Sequence, residues 1–427
     1  MLAYLKNNRG IIWLAPLIAL HGIPGTGFIR SILLLIGFIH LFWTIKNNEP
    51  IFSLLHKRPE TWLLGALTLW LVIQSSVFSV SPLHSLKELS DHFGKILLLI
   101  WVAITLVRRR SEINASWMLH GVFAGFFIHV ISTLSFQGWQ YFNTGNLAIG
   151  DSFLGNYGYV SPYVTGSMAF LMADLASRYL GSGRLLNVPT WTIITGLFLA
   201  IAAQSMLAAK ASLVMMIIMF FIASAAVMIR SRSSLSHLFV LAALGVTIGA
   251  GITFTNFFSN RWDGALENID FAIKQEPDLK STFQGSSHGD GSFSLRYAWG
   301  KAGLDGISHR PLGYGYGSEG YGKYIFDHYN VTGAVSSHSG WIDYTLDNGI
   351  PGLMLLLALS AILVYRGWRS FLQGNPLGLA LCLFVINYIG RCAIDGHLVG
   401  SRISGFAFAV AILWALNMTT KNANPSN

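Results

Sequence analysis

SSHSGWIDYTLDNGIPGLMLLL, residues 336–357, is where a polar segment of about eighty residues gives way to an apolar run. Downstream, residues 340–364 form a stretch long enough to cross the hydrocarbon of a bilayer. Similar runs fall at about 11–25, 27–45, 61–79, 93–107, 117–136, 160–180, 189–208, 211–229, 237–257, 376–392 and 398–416. With 53% hydrophobic and only 11% charged residues, the chain lacks the charge to cover a water-exposed globular surface. The expectation is an all-α, polytopic transmembrane bundle of about twelve spans with a large cap loop. Residues 1–257 would supply nine helices, 258–337 the loop with short helices, and 338–427 three helices and a tail.

Charge orients this bundle. If the N-terminus lies inside, the inner segments hold 15 of the 28 Lys and Arg, from Lys6 and Arg9 through Arg108, Arg109 and Arg110 to Lys421. The short outer turns and adjoining span ends hold six: Arg30, Lys87, Lys95, Lys210, Arg391 and Arg402. The positive-inside rule then puts both termini in the cytoplasm and the loop 258–337 outside. No small-residue cleavage site closes the first run, so it reads as a retained span. The net charge of +9 is explained by topology, since no basic stripe or nucleic-acid motif accompanies it. Cys382 and Cys392 give neither a disulfide framework nor a thiolate metal cluster.

The loop is too long for a simple connection and holds nine acidic residues against seven Lys and Arg. Two helical pieces are predicted in it, one beginning at Trp262 and one in GSFSLRYAWGKAGLDGI from Gly291, where Leu295, Trp299 and Ala302 recur at helical spacing. In GYGYGSEGYG, residues 313–322, neither a Walker ending nor a Rossmann setting is present. Its glycines are expected to permit tight turns and its tyrosines to line a wet interface or sugar site.

Six residues carry candidate chemistry, each with a plainer alternative. His338, at the border, is either a cap and anchor for the following helix or a neutral imidazole that accepts a proton from a hydroxyl. Asp343 can orient that ring or line the cavity, with Asp347 a more distant second. Arg296 and Arg310 either pair with nearby acids or together fork a diphosphate without a metal. Lys210 is a snorkelling anchor or an anion contact at the mouth of an outer cavity. Arg391, four residues before Asp395, makes a local ion pair or helps shape the same cavity. The histidines include no recognisable metal-ligand set, and neither a metal nor another cofactor is implied. A lipid or polysaccharide transporter is the rival from another class. Against it stand the concentration of polar residues in one cap and the lack of a paired repeat or a chain of mid-span charges, Asp174 being the main exception.

Taken together, the many spans, the late polar loop and the histidine leading into a span resemble the bacterial O-antigen ligase family, which is related to the O-antigen polymerases. Arg296, Trp299 and Pro311–Leu312–Gly313–Tyr314–Gly315 resemble the family's arginine, aromatic and Pro-Leu-Gly-x-Gly element. His338 followed by Gly349–Ile350–Pro351–Gly352–Leu353 resembles its histidine and Gly-x-x-Gly-Leu segment. Ser339 stands where many relatives carry Asn, and Ala209–Lys210 where a Ser-Arg element is common. The resemblance implies a metal-independent, inverting glycosyltransferase of lipopolysaccharide assembly in the bacterial inner membrane. It would move a glycan from undecaprenyl diphosphate to the lipid A core on the periplasmic side. His338 and Arg296 would be catalytic, while Lys210, Arg310, Asp343 and Arg391 would contact substrate or diphosphate. A polymerase and a protein glycan transferase are the enzyme alternatives.

Overall fold

The computed structural model describes residues 11–44, 58–108, 115–231, 292–332, 336–396, 398 and 401–421. The run at 237–257, the helix expected from Trp262 and the N-terminal Lys6 and Arg9 lie outside the described residues.

Every other apolar run is a helix. In chain order these are α1 Ile11–His21, α2 Gly27–Thr44, α3 Pro59–Phe78, α4 (Pro82–Glu88, Leu89–Gly94 and Lys95–Arg108), α5 Ala115–Thr144, α6 Tyr157–Tyr179, α7 Thr190–Leu207 and α8 Lys210–Arg230. The later helices are α9 Ser292–His309, α10 Gly320–Tyr329, α11 Gly340–Leu372, α12 Pro376–Cys392 and α13 Ser401–Lys421. The protein is therefore an all-α polytopic membrane protein. Among the described residues, six helices are long and apolar enough to cross a membrane, and three shorter apolar helices accompany them. The only strands among these residues, Asp151–Ser152 and Gly155–Asn156, pair as a small hairpin ahead of α6. Between α7 and α8 the chain turns through Ala208 at φ 49°, so the two runs around Lys210 are separate helices.

Helix α6 packs against α5, α7, α8 and α12 and is buried along nearly its whole length. Burial in this position explains how it tolerates polar residues: Thr165, Ser167 and Ser177 return their hydroxyls to carbonyls one turn earlier. Asp174 accepts from Arg178 at 3.0 Å and from the Leu185 amide at 2.8 Å. This carboxylate closes the end of α6 with partners from its own turn and the following loop.

Helix α11 is broken. Gly349 lies at φ 76°, ψ 167° in its middle, and Pro351 two residues on lacks an amide hydrogen. In hydrocarbon each carbonyl released by such a break costs several kcal/mol unless a donor meets it, about the strongest local constraint a span faces. The donors come from the polar loop and from α3. The amide of Tyr314 donates to the Leu346 carbonyl at 2.7 Å and that of Gly315 to the Asp347 carbonyl at 2.9 Å. Gln74 donates to the Asp347 carbonyl at 2.7 Å, and the Trp70 indole to the Asn348 carbonyl at 2.8 Å. The Ile350 amide turns back to the Pro311 carbonyl at 2.8 Å. Pro311–Gly315 and the Gly349 break are thus one knot, built from sequence elements about 35 residues apart. Gln74→Leu, which keeps bulk and removes a buried donor, is expected to cost about 1–3 kcal/mol, measured as a lower midpoint of thermal unfolding in detergent.

This knot changes the reading of the glycine- and tyrosine-rich loop. Gly313, Gly315 and Gly317 do take positive φ, as tight turns require. The tyrosines, however, do not line a wet interface. Tyr314 is buried with Ala302, Tyr321, Tyr324 and Leu346, and Tyr316 is buried among Leu67, Leu71 and Phe93. The turns aim these rings into the bundle, where they anchor the loop.

Candidate active site

Two segments meet at the end of α11 where the chain enters it. One is α9, whose buried Ala298 and Ala302 face the bundle and which packs on α11. The other is the turn Ser336–Ser339. His338 sits in that turn at φ 59°, a left-handed conformation that costs a non-glycine residue roughly 1–3 kcal/mol unless its surroundings hold it.

The surroundings do hold it. Asp343, one turn into α11, accepts from the Ser337 amide at 2.8 Å and the Ser336 hydroxyl at 2.6 Å. The Ser336 hydroxyl in turn accepts from the His338 amide at 3.0 Å, and the Ser337 hydroxyl from the Ser339 amide at 3.1 Å. Ser339 is the helix cap: its hydroxyl oxygen accepts from the Ile342 amide, while the hydroxyl donates to the Ala393 carbonyl at 2.9 Å. The capping role considered for His338 therefore belongs to its neighbour. Asp343 orients the backbone of the turn, and the ring is positioned by something else.

That other element is Trp299. The imidazole stacks on the indole at 4.6 Å between centroids with 27° between planes. It is otherwise exposed, and among the described residues neither ring nitrogen is taken by a hydrogen bond. Partial desolvation lowers its pKa from the ordinary value, and the Arg296 guanidinium lowers it further against the opposing pull of Asp395 and Asp343. The result is an imidazole biased towards its neutral form, with both ring nitrogens open among the described residues and Arg296 near enough for its charge to be felt.

Arg391 and Lys210 belong to the same end of the bundle. Arg391 is completely buried, bonded to Ser212 on α8 and paired with Asp395 at 3.1 Å. Because the Asp395 carbonyl accepts from the Gly340 amide at 3.2 Å, this ion pair braces the start of α11. Arg391 thus ties α8, α12 and the histidine turn together from behind. Lys210 is the first residue of α8, two positions before Ser212, and its side chain is exposed.

Arg310 is elsewhere. It follows α9 fourteen residues after Arg296, about 21 Å along a helix axis at 1.5 Å per residue. There it donates to the Phe78 carbonyl at 3.3 Å and lies over the Tyr314 ring at 4.8 Å. The separation places Arg296 in the second turn of α9 and Arg310 just past its end, which weighs against both forks meeting on one diphosphate. Asp347 is also structural, accepting from the Gly320 amide at 2.9 Å and the Ser318 hydroxyl. Sequence reading singled out Ser339 but passed over Ser336 and Ser337 and the donors Trp70 and Gln74. A lone amide in an apolar run was the available signal for Gln74.

Fold and site define a polytopic membrane protein with a stacked histidine and nearby basic side chains at one end of its helices. Residues 191–357 match the family described as O-antigen ligase. The match spans Lys210, Arg296, Arg310, His338 and Asp343 and leaves Arg391 outside. The match supports an O-antigen ligase- or polymerase-type function in broad terms. No curated protein matches the chain.

Proposed function

We propose that the protein is an O-antigen ligase, which transfers a completed glycan from undecaprenyl diphosphate to a sugar of the lipid A core. The observation that carries this reading is His338: a neutral, outward-open imidazole, stacked on Trp299 beside Arg296, in the domain matched to the ligase family. The distribution of Lys and Arg supports a periplasmic position for this end in a bacterial inner membrane, with both termini cytoplasmic.

In the proposed reaction the acceptor hydroxyl oxygen attacks the anomeric carbon as the bond from that carbon to the diphosphate oxygen breaks. The hydroxyl proton passes to His338, and the departing lipid diphosphate takes the electron pair. Negative charge grows on that diphosphate, so Arg296 and Lys210 stabilise the transition state more than the ground state. A single displacement inverts the sugar. Asp343, Ser339 and Arg391 hold the turn, and Arg310 serves the knot at the other end of α9. The diphosphate linkage is already activated, so no nucleotide enters the scheme.

Reconstitution with a lipid diphosphate-linked glycan and lipid A core, with neither nucleotide nor added metal, tests the reading by mass of the product. Glycan attached to the core is the expected result. Lengthening of the lipid-linked glycan without attachment would make the enzyme a polymerase, and lipid movement without covalent product would make it a transporter. The pH profile adds a sharper check. A base must be neutral, so activity should fall on acidification, with its limb below the ordinary histidine value of 6.5. Arg296→Gln removes one of the charges lowering that pKa and should shift the limb to higher pH, in addition to slowing transfer.

A further inference from the structure

At the opposite end of the bundle lies a second polar feature that the transfer reaction does not use. Glu60, the second residue of α3, is only 2% exposed. One carboxylate oxygen, Oε1, accepts from Arg366 Nε at 2.9 Å and from the Trp414 indole at 3.4 Å. Its Oε2 and the hydroxyl of Thr61 have no hydrogen-bond partner among the described residues. A buried carboxylate oxygen without a donor is costly, and such groups call for an occupant.

Both residues line a cavity of about 280 Å³. Its remaining wall is almost wholly apolar and comes from five helices, with Leu64 from α3, Leu97 and Trp101 from α4, Leu359 from α11, Tyr388 from α12 and Phe406 from α13. Polar atoms thus sit at one end of a hydrocarbon-lined chamber, the complement of an amphiphile. Water satisfies only the polar end, since an apolar cavity of this kind stays dry. From Glu60 to Phe78 is 18 residues of α3, about 27 Å at 1.5 Å per residue and close to the thickness of a bilayer's hydrocarbon. The Phe78 carbonyl receives Arg310 from the loop that carries the candidate active site. The Glu60 end therefore stands at headgroup level on the other face of the membrane.

We propose that this cavity binds one acyl chain of a phospholipid from the leaflet opposite the active site, with a primary-ammonium headgroup donating to Glu60 Oε2. A primary ammonium offers three N–H donors to the open carboxylate oxygen and the Thr61 hydroxyl. Arg366, with its side chain about one-third exposed, supplies the countercharge for the adjoining phosphate. Charge complementarity selects a zwitterionic amine lipid over an anionic glycerol lipid, whose headgroup would meet Glu60 with no ammonium. It also separates this lipid from the glycan donor, whose diphosphate belongs at the opposite end. The site is independent of the identity of the reaction.

The test uses the purified full chain in detergent, exchanged against synthetic phosphatidylethanolamine, phosphatidylcholine and phosphatidylglycerol with identical acyl chains, and native mass spectrometry of the retained lipid. Phosphatidylcholine keeps the positive charge and phosphate but has no N–H. One retained phosphatidylethanolamine per chain is expected, with a preference of about tenfold over phosphatidylcholine, as one charge-assisted hydrogen bond gives. Glu60→Gln should erase that preference. Because that variant also weakens the hold on Arg366 and can fail to fold, Leu359→Trp provides a second arm: it fills the chamber, leaves the ion pair intact and should abolish retention of every phospholipid. Equal retention of the two zwitterionic lipids, retention undiminished in Leu359→Trp, or displacement of the phospholipid by undecaprenyl diphosphate at this site would each overturn the proposal.

Discussion

Replacing His338 is expected to slow glycan transfer by about 10²–10⁴-fold, the range contributed by a positioned acid or base, with the helical fold intact. The choice of substitute matters because the residue holds a left-handed backbone at φ 59°. Asparagine tolerates that conformation better than most side chains, whereas alanine has no polar group to stabilise it. If His338 served only to make the turn, His338→Asn would restore activity that His338→Ala loses. If the ring receives the acceptor proton, the two variants should be equally inactive while circular dichroism and thermal unfolding stay near wild type. Single-turnover assays with donor and acceptor, read alongside donor binding to the inactive variants, separate the outcomes. Near-normal turnover in either variant would remove His338 as the base.

Gly313→Ala is expected to be severely damaging for the addition of a single methyl group. Gly313 lies at φ 84°, and a Cβ there would stand 2.6 Å from the Gly349 amide nitrogen and 2.7 Å from the Asp347 carbonyl oxygen. Both neighbours are backbone atoms at the break of α11, so neither can swing aside as a side chain would. The positive φ alone costs about 1–3 kcal/mol, and the clash forces apart the bonds that satisfy the Leu346 and Asp347 carbonyls. A loss of about 3 kcal/mol or more is therefore expected, seen as poor recovery of monodisperse protein and a much lower unfolding midpoint. Gly374→Ala supplies the comparison: its φ is 99°, but the nearest atom to an added Cβ is an Arg230 side-chain nitrogen at 3.9 Å. Equal effects at the two positions would mean that backbone conformation, and not the knot, is what Gly313 provides.

The spans were legible because a bilayer imposes a long, nearly uncharged run on any helix that crosses it, and no tertiary partner is needed to read that. Even the short turn before Lys210 was visible as a change in the run. The break within α11 was less visible. Gly349 and Pro351 stood in plain sight, yet their meaning depended on donors about 35 residues upstream and on Trp70 and Gln74 far earlier in the chain. The tyrosines of residues 313–322 misled for the same reason: phenol rings suit wet surfaces and packed cores alike, and only the turn geometry aims them. Arg296 and Arg310 looked like a pair because both flank one short segment. An α-helix between them turns that sequence proximity into separation. The juxtaposition of His338 and Trp299 had a local signal in the aromatic-rich helix but no spacing rule, since 38 residues intervene.

The broken middle of α11 also bears on the order in which the molecule is made. Its open carbonyls are met by amides of residues 314 and 315 and by side chains of α3, all of which leave the ribosome before α11 does. Until α11 arrives, those early segments hold donors with nothing to receive them, and a span entering the bilayer alone would carry bare carbonyls. Closure of the knot between Pro311–Gly315 and the Gly349 break therefore waits on α11. A chain halted short of residue 350 would contain Arg296 and His338 and still lack the closure that sets them in place.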